Sequence, residues 1–190
     1  MLLANVSFAA AAFNFSNNSF IYDGILSTDI NFVNAPNLNI TGCGLPTTRT
    51  VTYNYVGVSP TVYASSSIPP NQAGTYTIQA TISGGPCDLA VSSTYTYTIN
   101  PASLTITANN ANKVYGTTKG ALTGSTDFTP TGLQNGENIG SVTLNFDAGA
   151  TAASDPVEST SVIRPISPIG GTFTASNYTI NYATGTLTVV

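Results

Sequence analysis

Hydrophobic and polar positions alternate along much of the chain. This alternation is clearest in six runs, in which apolar or aromatic residues alternate with Thr, Ser, Asn or Gln: residues 49–56, 75–82, 93–99, 103–107, 141–146 and 178–182. A period of two is typical of a half-buried β-strand, and no segment has a comparable helical stripe. Turn signals such as Asn135-Gly136 and Gly170-Gly171 separate the runs. The pattern predicts an all-β chain of short strands, folded as a sandwich or barrel.

The two halves of the chain repeat the same features. Tyr22-Asp23-Gly24 begins the first half and Tyr115-Gly116 the second, and each half closes on an alternating strand, residues 95–99 and 186–189. Self-similarity at a fixed period is the signature of repeated domains. We therefore predict two tandem modules, residues 1–100 and 101–190. In each, the tyrosine and glycine (Tyr22 with Gly24, and Tyr115 with Gly116) are expected to form a structural turn.

The predicted joint between the modules is Asn100-Pro101. Proline cannot donate to a β-ladder and pushes the preceding residue into an extended conformation. A strand ending at Ile99 would therefore pass directly into the next strand at Leu104. Because short, proline-bearing joints limit domain swing, we expect a semi-rigid rod.

Composition narrows the choice of partners. The chain has 42% hydrophobic residues, enough to form cores, but only 6% charged residues and a net charge of −4. Its surface must therefore be covered mainly by Thr, Ser and Asn. Four cations, Arg49, Lys113, Lys119 and Arg164, cannot neutralise a run of phosphates, so we expect no nucleic-acid partner and no binding to anionic membranes. The apolar stretches near the start are too short to span a bilayer, and we expect no direct membrane insertion.

The residue types of the chain do not favour an enzyme. The chain has no histidine, so neither a Ser-His-Asp nor a Cys-His arrangement can form. The closest carboxylate pairs are Asp155 with Glu158 and Asp23 with Asp29, which we interpret as solvated loop acids. We expect no enzyme activity, no cofactor and no metal site. A weak calcium site at Asp23, Asp29 or carbonyls near the joint is left open, since the chain has no dense Asp loop.

The two cysteines, Cys43 and Cys87, both lie in the first module. Without histidine they could hold zinc only with help from carboxylates, whereas a bridge would suit an oxidising compartment. We predict a Cys43-Cys87 disulfide that staples the first module, in which case the chain-entropy model gives a contribution of roughly 4 kcal/mol.

Two further features have alternative interpretations. Lys113, beside the apolar Val114-Tyr115, could form an internal isopeptide crosslink, but we expect a solvated lysine at a strand edge. The alternating tyrosines of the first module could form an exposed platform for sugars. We expect them to pack in the core or in cross-strand pairs, as aromatic residues in strands usually do.

Several motifs, in order, carry a family resemblance. In the first half these are Tyr22-Asp23-Gly24, residues 51–55 and the stretch AGTYTIQA at 73–80; in the second half, residues 104–108, 113–116, 132–136, 176–180 and 185–189. The first half resembles the MBG domain, an Ig-like bacterial repeat, and the second resembles its YGX type. Together they cover most of residues 19–190. At one point the second half departs from the family: residues 161–165 stand where a Gly-x-Tyr strand motif is expected.

The resemblance implies two tandem Ig-like β-sandwich modules from a secreted or cell-surface bacterial protein, and an extracellular location. It implies no ligand. Our leading hypothesis is a semi-rigid stalk or spacer in an adhesin, whose partners are neighbouring repeats of the same or identical chains. The alternative is that the modules bind surface glycans, or associate with one another into an extracellular fibre.

Overall fold

A computed structural model describes residues 12–25, 37–41, 50–83 and 90–190 of the chain. Contacts within the chain divide it into two compact units, Met1–Asn100 and Pro101–Val190. The division falls between Asn100, which ends one strand, and Pro101, after which the next strand begins at Ala102.

The first unit has seven strands in its described part: β1 (Ala12–Ser16), β2 (Ser19–Ile21), β3 (Asn37–Thr41), β4 (Thr50–Gly57), β5 (Gly74–Ser83), β6 (Ala90–Val91) and β7 (Tyr95–Asn100). The larger sheet has the order β2-β7-β5-β4, with β6 added to β5, and the smaller sheet pairs β1 with β3. Strand β5 is antiparallel to β4 and β7, whereas β2 is parallel to β7. Phe15 of β1 stacks on Tyr95 of β7 at 5.3 Å between ring centroids, so the two sheets contact each other.

The second unit has eight strands and one short 3-10 helix, Ala175–Asn177: β8 (Ala102–Ala108), β9 (Ala111–Lys113), β10 (Leu122–Ser125), β11 (Phe128–Thr131), β12 (Ile139–Phe146), β13 (Thr160–Gly171), β14 (Tyr178–Ala183) and β15 (Gly185–Val189). Its larger sheet has the order β10-β12-β13-β15-β9 and its smaller sheet the order β11-β8-β14. Strand β13 of the larger sheet contacts β8 and β14 of the smaller one, which makes a sandwich. The predicted all-β fold class is confirmed.

Both units share one strand arrangement. In each, the chain leaves the smaller sheet and enters the larger one after its first strand, from β1 to β2 and from β8 to β9. The last strand then pairs in parallel with that second segment, β7 with β2 and β15 with β9. Just beyond, the Tyr22 N–H donates to the Asn100 carbonyl and the Tyr115 N–H donates to the Val190 carbonyl, both at 2.8 Å. The sequence repeat is thus a repeat of backbone structure.

Alternation along the strands sets the two cores. Residues of one parity point inward and are almost fully buried: Tyr55, Tyr76, Ile78, Ala80, Ile82, Tyr97 and Ile99 in the first unit, and Leu104, Ile106, Val142, Leu144, Ile163, Leu187 and Val189 in the second. Burying a large apolar side chain contributes about 1.5–3 kcal/mol. Each core is therefore formed by a few strands whose alternation of apolar and polar residues is visible in the sequence.

One predicted turn falls at the end of a strand, although both of its glycines have the positive φ expected of a turn, 68° and 80°. Gly170 and Gly171 are the last two residues of β13, where Gly171 pairs with Ile139 of β12. The register between β12 and β13 shifts between Ser141 and Thr143, and Ser167 has a positive φ of 50°, so the strand continues through an irregularity. The predicted turn at Asn135-Gly136 is observed: the Glu137 N–H donates to the Gln134 carbonyl at 2.9 Å.

Residues 161–165, which depart from the family motif, still form part of strand β13. Thr75 pairs with Thr98 in the first unit, and Thr160 pairs with Thr188 at the matching place in the second. Ser161 therefore occupies the position of Tyr76. Ser161 is buried, and its hydroxyl has no hydrogen-bond partner among the described residues.

Replacing this hydroxyl should stabilise the second unit. We expect Ser161→Ala to raise its free energy of unfolding by about 1 kcal/mol, because a buried hydroxyl without a partner loses its hydrogen bonds to water on folding. Calorimetric unfolding of the whole chain measures this change. Ser154→Ala, at an exposed position, serves as the control. An unchanged or lowered unfolding temperature for Ser161→Ala would contradict the expectation.

Candidate interaction surface

The larger sheet of the first unit presents an uncharged outer face. Strands β4, β5 and β7 turn the residues of one parity away from the buried core. We call this set the hydroxyl face: Thr52, Asn54, Val56, Thr75, Thr77, Gln79, Thr81, Thr96 and Thr98. All of them except Val56 carry a hydroxyl or an amide.

Cross-strand pairing arranges the hydroxyl face as a two-dimensional array. Thr75 pairs with Thr98 and Thr77 with Thr96. Farther along the sheet, Asn54 pairs with Gln79 and Thr52 with Thr81. Neighbouring strands lie about 4.8 Å apart and alternate residues about 6.7 Å apart along a strand. The Oγ1 atoms of Thr75 and Thr98 are 3.4 Å apart, so neighbouring hydroxyls can bond to one another.

The equivalent face of the second unit differs mainly along its central strand. The positions of Thr77, Gln79 and Thr81 on β5 correspond by register to Val162, Arg164 and Ile166 on β13. Arg164 forms an exposed ion pair with Asp147 at 2.7 Å. Its hydrogen bond and positive charge lower the pKa of the Asp147 carboxyl. The two faces thus share a backbone and five residues of the same type, and they differ in charge and polarity along β13 and at Asp147.

The tyrosines of the first unit lie on the opposite, inner side of the same sheet. Tyr55, Tyr76 and Tyr97 are at most 2% exposed. The rings of Tyr76 and Tyr97 are 5.8 Å apart, and Tyr63 packs edge-on against Tyr76 at the same distance. The Tyr76 hydroxyl donates to the Gln72 carbonyl at 2.8 Å. These rings pack in the core and do not form an exposed platform for sugars.

Burial changes the ionisation of this cluster. Desolvation raises the pKa of the Tyr97 hydroxyl well above its usual value, and neighbouring tyrosines raise it further. The same causes, in the same order, raise the pKa of Tyr55. Since the unfolded chain ionises near pH 10 and these folded phenols ionise only at higher pH, ionisation leaves the free energy of unfolding unchanged below about pH 10 and lowers it as the pH rises from there toward the folded pKa.

Tyr97→Phe should separate this effect from packing. The Tyr97 hydroxyl is buried without a partner among the described residues, so the variant should keep or gain stability at neutral pH. Above about pH 10 it should lose less stability than the parent chain. Urea unfolding between pH 7 and 11 measures both effects. Tyr76→Phe is the matched variant, and it should be less stable at neutral pH because it loses the bond to Gln72. An equally steep alkaline loss in Tyr97→Phe would contradict the prediction.

The predicted turn residues, Tyr22 with Gly24 and Tyr115 with Gly116, occupy matching places in the two units. The two tyrosines differ in their exposure to solvent. Gly24 and Gly116 have φ of 71° and 83°, a region that glycine adopts without strain. Tyr22 is 3% exposed, whereas Tyr115 is 57% exposed. At the predicted joint, the Asn100 side chain donates to Ser19 Oγ and to the Phe20 carbonyl, at 2.8 and 2.9 Å. These contacts tie the last residue of the first unit to its strand β2.

Lys113 was expected to be a solvated lysine at a strand edge, and this expectation is wrong. Its side chain is only 4% exposed. The Nζ atom donates to the Thr117 carbonyl at 3.0 Å and to the Ala152 carbonyl at 2.9 Å. By the shared register Lys113 corresponds to Phe20, so a buried stem with a charged end replaces an aromatic ring. The ammonium group joins two loops, and no isopeptide partner contacts it among the described hydrogen bonds.

Removing that ammonium should loosen the second unit. We expect Lys113→Met, which keeps the apolar stem, to lower its free energy of unfolding by roughly 1.5–3 kcal/mol, because two carbonyls lose a charged donor. Urea unfolding at pH 7 tests this expectation. Lys119→Met should lower the free energy of unfolding less, since Lys119 is only half-buried and its Nζ atom lies over the Phe146 ring, 5.5 Å from the centroid. Equal effects of the two substitutions would refute a specific role for Lys113.

The structure does not gather the predicted carboxylates into a site. Asp155 accepts from the Ala152 N–H of its own loop at 2.7 Å, and Asp23 accepts from the Ile25 N–H at 3.0 Å. No cluster of three potential metal ligands occurs among the described residues. Asp29 and the predicted Cys43-Cys87 disulfide lie outside the described residues. No helix in the described part of the chain is long and apolar enough to cross a membrane.

The sequence alone did not predict two features, the hydroxyl face and the burial of Lys113. The hydroxyl face depends on which strands are neighbours and in what register, which alternation within one strand does not specify. A signal for Lys113 was present: aligning Tyr22 with Tyr115 places Lys113 opposite Phe20, a position that should be buried in both halves.

The YGX motifs of the second half also have structural roles. The Tyr178 hydroxyl donates to Glu137 Oε2 at 2.5 Å and accepts from the Gln134 N–H at 2.9 Å. Asn177, just before it, is fully buried. The segment at 132–136 is therefore fastened to the segment at 176–180, although 44 residues separate Gln134 from Tyr178.

Comparison with known proteins agrees with this assignment of the motifs. The sequence model of the MBG domain (YGX type) family matches residues 104–188. No curated protein and no solved structure gave a significant match to the chain. MBG domains are repeat domains typical of bacterial surface proteins. The predicted resemblance is confirmed over residues 104–188: this part of the chain carries an MBG domain of the YGX type.

Proposed function

We propose that this chain is a structural segment of a bacterial surface protein, in which the two units act as a semi-rigid stalk or spacer. The observation that carries the proposal is the direct passage between strands: β7 ends at Asn100 and β8 begins at Ala102, so Pro101 alone separates them. A one-residue connection restricts swing more than a flexible linker does, because few backbone dihedrals lie outside the ladders.

The strand arrangement also suits a part that carries load. In each unit the second and last strands form a parallel pair, β2 with β7 and β9 with β15. Tension applied through the two ends of a unit pulls parallel strands in opposite directions along their length. Their hydrogen bonds must then yield together, whereas pulling strands apart from one end breaks bonds one at a time.

The proposal includes an extracellular location and assigns the segment no catalytic role, cofactor or metal. Its support is the match to a repeat domain of surface proteins, the absence of histidine and the scattered acids. Its partners are neighbouring repeats of the same or identical chains. Attachment to a surface would then be made by other parts of the protein.

Small-angle scattering of the whole chain over a concentration series tests the stalk. A compact globule of this length would have a radius of gyration of about 16 Å. We expect a clearly larger value that is independent of concentration, as for an elongated monomer. Pro101→Gly should broaden the distribution of dimensions, because glycine frees the joint.

A profile close to that of a compact globule would refute the stalk. So would a Pro101→Gly profile identical to that of the parent chain. Growth of the particle with concentration would instead make self-association the function to pursue.

A further inference from the structure

We propose that strand β14 pairs edge to edge with β14 of a second copy of the chain. This pairing deepens the proposed function, on which it rests, because it gives the surface by which identical chains on one cell would meet side by side. Three features of the second unit support it: the free backbone of β14, the protection of the other sheet edges, and the register that a two-fold pair requires.

Within the described part of the chain, one side of β14 has no neighbouring strand. β14 ends the smaller sheet of the second unit, in the order β11-β8-β14. In a parallel pair, alternate residues direct their N–H and C=O groups to the partner strand, and the residues between them direct theirs to the other side. Residues 179–183 form no hydrogen bond among the described residues other than those of the ladder with β8. Free donors and acceptors at strand spacing are satisfied by a further extended chain, so the backbone itself defines the kind of partner.

The other three sheet edges of the second unit, whose residues are all described, are each protected. Strand β9 has only three residues. Strand β10 has four and is interrupted by a register shift, with Gly124 at a φ of 69°. Strand β11 carries Pro130. Short, bulged or proline-bearing edges discourage pairing between chains. Strand β14 has six residues in regular register, with no proline and no charged residue, so it is the edge that the unit leaves available.

The side chains of β14 suit an antiparallel partner of the same sequence. Tyr182 is 46% exposed, and Ile180, on the same side of the strand, is half-buried. Because opposed residues share a face of the sheet, a two-fold pair must be centred on one residue. Centred on Asn181, the pair places Ile180 of each chain opposite Tyr182 of the other, a favourable pair of a β-branched and an aromatic residue. Centred on Ile180, it would instead place Tyr182 opposite Tyr178, which is already buried.

The remaining positions of this register are also compatible. At the centre, Asn181 of one chain faces Asn181 of the other, and two amides can bond to each other because each both donates and accepts. Thr179 lies opposite Ala183, and like charges do not meet anywhere along the pair. The smaller sheets of the two chains would then continue as one sheet.

The pair is weak between free chains. Residues 179–183 of two strands bury far less than the roughly 1,200 Å² of a stable protein interface, so the single chain in solution remains a monomer. Chains anchored side by side on one surface have a much higher effective concentration, at which a weak contact forms. The edge would therefore join stalks laterally once they are displayed.

Disulfide trapping of whole chains detects such a weak pair. The variant is Asn181→Cys and the matched control is Thr179→Cys, both at exposed positions of β14. In the pair centred on residue 181, the two Cα atoms at 181 are about 5 Å apart, within reach of a disulfide, whereas those at 179 are about 14 Å apart. Each variant is oxidised with glutathione disulfide, and disulfide-linked dimers are measured over time. The parent chain measures dimers formed through Cys43 and Cys87. Unfolding temperatures check that each variant folds.

We expect Asn181→Cys to form dimers roughly tenfold faster than Thr179→Cys, or more, because only the first brings two thiols together. Adding Tyr182→Lys to Asn181→Cys should lower the rate to that of Thr179→Cys. The added ammonium would lie opposite Ile180 of the other chain and protect the edge. Tyr115→Lys, at an exposed tyrosine outside β14, should leave the rate unchanged.

Equal rates for Asn181→Cys and Thr179→Cys would overturn the pairing, as would a rate for Asn181→Cys no higher than that of the parent chain. Equal effects of the two lysine substitutions would overturn it as well. The scattering profile of the parent chain is measured separately, so the pairing can fail while the stalk stands, and a compact profile would refute the stalk whatever the trapping shows.

Discussion

The parallel pairing of each unit's last strand with its second strand, β7 with β2 and β15 with β9, is the constraint on which the rest of the structure depends. This parallel pair requires the chain to cross from the smaller sheet to the larger one after its first strand, so the two sheets enclose one core. It also fixes the Tyr-Gly turn, because the tyrosine N–H of each unit bonds to the residue that ends the last strand or follows it. The beginning and end of a unit are therefore held together, even though they are distant in sequence.

Local sequence pattern predicted the strands because the period of two is a property of neighbouring residues. The run at 75–82 became Gly74–Ser83, and the run at 178–182 became Tyr178–Ala183. Prediction failed for residues whose environment is set by contacts with distant parts of the chain. Gly170-Gly171 is a good turn signal in isolation, but pairing with Ile139 keeps it in a strand. Lys113 is charged, yet two carbonyls on separate loops compensate its burial.

The candidate surface was less predictable than the fold. The neutral, hydroxyl-rich exterior follows from composition, but composition does not say which residues share a face. That Thr77 lies beside Thr96 depends on the pairing of β5 with β7, and a shift of one residue would move every side chain to the other face. The two units keep one scaffold and part of its outer face, while the residues along their central strands differ, so the fold alone does not fix a surface.

The charge-free outer sheet of the first unit has a consequence for the environments in which this protein can work. Attraction between charged surfaces weakens as dissolved ions shorten the screening length, from about 30 Å in dilute solution to about 3 Å at high salt. Contacts made by hydroxyls, amides and methyl groups have no such dependence. A neutral partner held to this sheet would therefore not be released by ionic screening, whatever the ionic strength of the surrounding solution.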